Sequence, residues 1–107
     1  MSQFDDRERA FESMYARDQE MQFKIVARRN RLLGHWAASL MGLTDVEAEA
    51  YAKDVVRADF EEAGDEDVIR KVVGDLTSAG VEISDADVRT ALEAKAIEAR
   101  RQLMESQ

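Results

Sequence analysis

Apolar residues recur along the chain at the spacings of three, four and seven residues that mark one face of an α-helix, in four successive stretches. The faces comprise, in order, Met21, Ile25, Leu32, Leu33, Trp36 and Leu40; Ala48, Ala52, Val55, Val56 and Phe60; Ile69, Val72, Val73 and Leu76; and Val88, Leu92, Ala96, Ala99 and Leu103. Four amphipathic helices joined by short loops can bury these faces only against one another. The pattern therefore predicts an all-α fold, a four-helix bundle.

The polar breaks between the stretches carry signals that end one helix and begin the next. Each break contains a glycine, which can take the left-handed backbone conformation found after a helix C-terminus. Thr44 with Glu47, and Ser84 with Asp87, have the spacing of capping boxes at the starts of the second and fourth helices. Asp65 lies in the break before the third helix and is expected to cap that helix.

A further apolar stripe precedes the bundle pattern, near the start of the chain. It comprises Phe4, Phe11, Met14 and Tyr15. The stripe fades at residues 17–20, which are all polar. This weakening predicts a hinge between a mobile, helix-competent N-terminal arm at residues 1–18 and the bundle at residues 19–107.

The pattern of residues alone does not determine where the arm lies. A helix this short is marginally stable in water unless its apolar face is covered. Either it belongs to a purely structural bundle, packed on the other helices or continuing the first helix unbroken from Ser2, or it becomes ordered in the groove of a partner. Both outcomes remain open on the pattern of residues.

The charge of the chain disfavours nucleic acid as a partner. The formal net charge is −8 over 107 residues, and such a chain repels phosphate backbones. Residues 21–35 are the exception, because they contain four bases and no acid. We call Lys24, Arg28, Arg29 and Arg31 the basic strip. Such a strip is solvated, pairs with a neighbouring acidic helix, or holds a phosphate or an acidic protein surface.

Localisation signals point to the cytoplasm by default. The chain has no cysteine, which fits a reducing compartment. Its longest apolar stretch, around "HWAASLMGL", is far shorter than the ~20 residues that span a membrane. The acidic N-terminus lacks the basic and apolar regions of a signal peptide.

The sequence gives no positive indication of an enzyme. His35 is the only histidine, so neither a zinc site built from cysteine and histidine nor a Cys–His pair can form. The order of acids in "EEAGDED" does not match a calcium-binding loop, and the scattered glycines form no phosphate-binding motif. We therefore predict no catalytic residue, no metal and no cofactor, and a structural or surface role for His35.

Three separated blocks carry a resemblance to a known family. "FDDRERAFE", "ARRNRLLGHWAA" and "AEAYAKDVVRADFEEAGDEDV" together resemble the alphaproteobacterial zeta family, the inhibitor subunit of the F-type ATP synthase. The resemblance implies a four-helix bundle whose mobile N-terminal segment enters a catalytic interface of the synthase head, beside the rotor. There the segment becomes helical and blocks rotation in the hydrolytic direction while allowing synthesis.

The resemblance also implies which residues bind the partner. Its inhibitory motif corresponds to Phe4, Asp5, Asp6, Arg7, Glu8, Arg9, Ala10 and Phe11, and Tyr15 extends the same apolar stripe. The implied partners are the catalytic head and the rotor of the ATP synthase. The implied location is cytoplasmic, peripheral at the inner membrane through the synthase, without direct membrane insertion.

A second interpretation remains beside this one. Members of the family are linked to weak adenine-nucleotide binding. The chain would then be a small helical binding module for an adenine nucleotide or an acidic protein partner, with the basic strip as its site. No phosphate-binding motif in the sequence supports this alternative independently.

Overall fold

The computed structural model describes residues 2–59 and 64–106, with side chains from residue 19 onward. Its helices are α1 (Ser2–Leu40), α2 (Asp45–Ala58), α3 (Glu66–Ser78) and α4 (Asp85–Glu105). These described ranges contain no strand. Helix α1 makes most of the contacts between helices, with α2 and α4, and α3 packs on all three. The predicted all-α four-helix bundle is confirmed.

Both predicted capping boxes are present. At the start of α2, the Glu47 backbone N–H donates to the Thr44 hydroxyl at 3.2 Å, and the Thr44 N–H donates to the Glu47 carboxylate at 2.9 Å. The equivalent distances between Asp87 and Ser84 at the start of α4 are 3.0 Å and 3.1 Å. Each box satisfies two backbone donors that the first turn of a helix leaves without a partner. These two helix starts are therefore encoded locally in the sequence.

The start of α3 differs from the prediction. Asp65 occupies the N-cap position, but its side chain makes no capping hydrogen bond. The prediction that it caps α3 is wrong because its carboxylate accepts a hydrogen bond from Arg29 of α1 instead. Gly64, immediately before it, has a φ of 98°, in the left-handed region that glycine tolerates best.

The core is formed by aliphatic side chains from all four helices. Its main cluster of buried residues comprises Leu33, Ala37, Val55, Val68, Ile69, Val72, Leu76, Val88, Ala91 and Leu92. The predicted faces supply most of them, whereas Ala37, Val68 and Ala91 were not among the predicted inner residues. Leu40 was predicted to face inward, and this is wrong: it is 43% exposed, because Met41 packs against the core at this end of α1 instead. Phe60, also predicted to face inward, lies outside the described residues.

Helices α1 and α2 approach each other closely at Gly34. A Cβ atom placed on this residue would lie 2.7 Å from the Ala52 Cα atom and 3.3 Å from a Val55 methyl. Real Cβ atoms essentially never come within 3.0 Å of another heavy atom. Glycine at position 34 therefore allows the two helices to approach this closely. An unusual backbone conformation is not the reason for glycine at this position.

Among the described residues, no helix combines the length and the apolar character needed to cross a membrane.

Candidate partner-binding site

The predicted partner-binding residues all lie in the first half of α1. They are Phe4, Asp5, Asp6, Arg7, Glu8, Arg9, Ala10, Phe11 and Tyr15, and their side chains lie outside the described residues. The predicted boundary after residue 18 falls within α1. The sites and the division into arm and bundle stay predictions.

The structure describes how the second half of α1 is held in the bundle. From residue 19 to residue 24, Met21 alone is half-buried and the other side chains are exposed. Burial becomes substantial at Ile25 and then at Arg29 and Asn30. Helix α1 is thus fixed by the other helices from about this point onward, and the candidate segment precedes that point.

A buried arginine anchors α1 to both ends of the α2–α3 connection. Arg29 is only 8% exposed, and its guanidinium lies 2.8 Å from the Asp65 carboxylate and 4.0 Å from that of Asp59. Its Nε also donates to the Asn30 side-chain oxygen at 3.0 Å. Since a buried charge is tolerated only when it is paired and hydrogen-bonded, these contacts explain how Arg29 can lie inside the bundle.

Burial also affects Asp59, one of the two acids of this anchor. The pKa of Asp59 is raised above its ordinary value, chiefly because burial disfavours the carboxylate form. The positive charge of Arg29 acts in the opposite direction and lowers the pKa of the same group. Burial prevails, so Asp59 is easier to protonate in the folded chain than in the unfolded chain.

A second polar cluster joins α1 to α2 on the surface. The Arg31 guanidinium donates to both oxygens of Glu49, at 2.9 Å and 3.1 Å. His35 Nε2 lies 3.1 Å from one of the same oxygens. Arg31 is the main reason why the pKa of Glu49 is lowered. His35 thus has a partner within the bundle, in keeping with a structural or surface role.

The basic strip is largely engaged by its own bundle. Arg29 and Arg31 form the ion pairs just described, and Arg28 donates to the Gln102 side chain of α4 at 3.2 Å. With apolar residues of three helices, Lys24, Arg28 and Arg31 line a groove of about 410 Å³. The structure therefore favours pairing with neighbouring helices over a set of cations reserved for a phosphate.

The buried role of Arg29 was missed in the sequence, although a signal was present. Ile25, Arg29 and Leu33 are spaced four residues apart, so they fall on one helix face. An arginine between two inward-facing aliphatic residues indicates a buried ion pair. The partners themselves, Asp59 and Asp65, were not predictable because they lie thirty or more residues away.

The described side chains offer no metal centre. No group of three or more histidine, cysteine, aspartate or glutamate residues in this part of the chain is arranged to hold a metal ion.

Comparisons with known proteins identify relatives that match most of the chain. A family model described as "ATPase inhibitor subunit zeta" matches residues 1–102. A protein with a solution NMR structure is similar at 50% sequence identity and a TM-score of 0.73, over 81% of this chain and 99% of its own. The search among curated proteins found no match.

Proposed function

We propose that this chain, which belongs to the ATPase inhibitor subunit zeta family, inhibits ATP hydrolysis by inserting its N-terminal segment into the ATP synthase. Membership of this family makes it a regulatory protein and not a catalyst. The segment enters a catalytic interface of the head beside the rotor and blocks hydrolytic rotation. One observation carries the proposal: the family match begins at residue 1 and includes the candidate segment together with the bundle. In this proposal the chain is cytoplasmic and reaches the inner membrane only through the synthase.

The segment has the chemistry of a helix that binds in a groove. Phe4, Phe11 and Tyr15 recur at helical spacings, so one face of the segment presents three aromatic anchors. Aromatic side chains bury large areas and dominate the energetics of many interfaces. The charged residues between the anchors, of both signs, are suited to pair with the polar walls of the interface.

The bundle supplies a rigid body that stays outside the head. Insertion of a helix resists rotation only if the helix is attached to something that cannot follow it into the interface. The Arg29 anchor and the close packing at Gly34 fix the second half of α1 to α2 and α3. Force applied to the segment is therefore transmitted to the whole bundle.

Removal of residues 1–18 tests this proposal. We expect the shortened chain to keep the far-ultraviolet circular dichroism of a folded helical bundle, and to lose inhibition of ATP hydrolysis by the purified matching synthase. A folded chain that lacks these residues and still inhibits would contradict the proposal.

A pair of matched variants of the full chain refines the test. Phe4→Ala combined with Phe11→Ala removes two anchors and should raise the half-inhibitory concentration by about tenfold or more, since each 1.4 kcal/mol is a factor of ten. Ser13→Ala, half a helical turn away from the stripe by spacing, should leave it unchanged. Equal effects of both changes would argue against the aromatic stripe as the binding face.

A further inference from the structure

Helix α4 presents an apolar surface that faces away from the core. Ile97 is 73% exposed and Met104 is 64% exposed, although both are large hydrophobic residues. They lie seven residues apart, so they share one face of the helix, with Arg100 and Arg101 between them. Together with Glu105 these four residues line an open cavity of about 430 Å³. We call Ile97, Arg100, Arg101 and Met104 the α4 patch.

The two arginines of the α4 patch are available for binding. Of the arginines whose side chains the structure describes, they are the two without a hydrogen bond or ion pair. The others all have a partner: Arg28, Arg29, Arg31, Arg57, Arg70 and Arg89. In a chain of net charge −8, two neighbouring unpaired arginines beside exposed apolar side chains combine the features of a protein-binding surface.

The charges of the α4 patch indicate the nature of its partner. A second copy of the chain is disfavoured, because contact between two such patches places Arg100 and Arg101 next to the same residues of the copy. A membrane of anionic lipid would attract these arginines but would repel the acidic chain as a whole. An acidic protein surface that also carries apolar side chains fits both components, since arginine pairs with carboxylates in a bidentate manner.

We propose that the α4 patch is a second docking surface, which holds the bundle against an acidic and partly apolar surface of the ATP synthase. The inference rests on the function proposed above. The Arg28–Gln102 contact joins α4 directly to α1, so the patch and the start of the bundled part of α1 belong to one rigid body. A second contact raises the effective concentration of the N-terminal segment at its interface and slows its escape.

Two variants of the full chain test the inference. Ile97→Asp with Met104→Asp removes the apolar contact, and Arg100→Glu with Arg101→Glu reverses the charge. Val46→Asp and Lys53→Glu are matched controls, because Val46 is 82% exposed and Lys53 is an exposed lysine without a described partner, both on α2. Dissociation from the immobilised matching synthase is measured for all four, and circular dichroism verifies their fold.

We expect each patch variant to dissociate at least about tenfold faster than the wild-type chain, since linking two binding contacts typically strengthens binding by 10²–10⁴-fold. Both controls should dissociate like the wild type. If both patch variants dissociate at the wild-type rate while the wild-type chain still inhibits, the docking surface alone would be overturned. A wild-type chain that neither binds nor inhibits would overturn the proposed function as well. Dimerisation of the wild-type chain that either patch variant abolishes would assign the patch to a second copy instead.

Discussion

Replacement of Gly34 by alanine adds a single methyl group where α1 meets α2. That methyl carbon would lie 2.7 Å from the Ala52 Cα atom, whereas ordinary van der Waals contact begins at 3.4 Å. The obstacle is a backbone atom, so no rotation of a side chain can relieve the overlap. The two helices must separate locally by about 0.7 Å, the difference between these distances.

Two opposing effects set the size of the change in stability. Overpacking of a core contact costs about 1–3 kcal/mol, whereas alanine is favoured over glycine within a helix by about 1 kcal/mol. Because the clash involves backbone, we expect the upper part of the first range and a net loss of about 1–2 kcal/mol. For a domain of this size that loss lowers the melting temperature by roughly 4–16 °C.

Gly74 provides a matched control in α3. A Cβ atom at this position meets nothing within 4 Å, so Gly74→Ala should show the helical preference alone and raise stability by up to about 1 kcal/mol. Urea unfolding followed by circular dichroism at 222 nm measures both changes in the full chain. A Gly34→Ala chain as stable as the wild type, or more stable, would refute the reasoning about the close approach of α1 and α2.

Two further predictions concern charged residues. Arg29→Met leaves the carboxylates of Asp59 and Asp65 without their cation, and should lower the free energy of unfolding by about 2–4 kcal/mol. This loss is smaller than the loss expected for a fully buried pair, because Asp65 is half exposed. Arg57→Met, which removes an exposed arginine, should change it by less than about 0.5 kcal/mol; equal losses in urea unfolding would exclude an anchoring role for Arg29. The second prediction is that acid destabilises the bundle through Glu66, whose pKa is lowered chiefly by hydrogen bonds from Arg89. A lowered pKa in the folded state adds stability above the ordinary value near 4.5, and this stability is lost as the pH falls through the folded pKa. Glu66→Gln should therefore reduce the loss of urea stability below about pH 4.5, and an unchanged pH profile would count against the pair.

The features that the sequence predicted correctly are those set by neighbouring residues. The capping boxes at Thr44 and Ser84 need partners only three residues away, and both are present. The apolar faces follow from helical spacing, which identifies a common direction for side chains such as Val72 and Leu76. Such local signals suffice to divide the chain into helices and to establish the fold class.

The features that the sequence did not predict depend on contacts between distant residues. Asp65 lies where a capping residue is expected, but Arg29 competes for its carboxylate. Leu40 continues the apolar pattern of α1, but Met41 is the residue that reaches the core. In the sequence, Gly34 is indistinguishable from any other glycine within a helix. Its role follows only from the close approach of Ala52. For Asp65 and Gly34 the deciding residue lies on another helix. For Leu40 the outcome depends on where α1 ends.

The candidate site depends on a partner that lies outside this chain. Aromatic spacing and the resemblance to the family predict which residues of the N-terminal segment bind a partner, and these residues stay a prediction. The conformation that they adopt in the complex depends on the shape and charge of the interface that receives them, and the sequence of this chain contains neither.

The most direct test of the proposed mechanism compares the two directions of catalysis. ATP hydrolysis and proton-driven ATP synthesis are measured in vesicles that contain the matching synthase, with increasing amounts of the full-length chain. We predict that hydrolysis falls to a constant low level while synthesis continues. Hydrolysis that is unaffected by excess chain, or synthesis that declines in parallel with it, would contradict the proposal that the N-terminal segment blocks rotation in the hydrolytic direction.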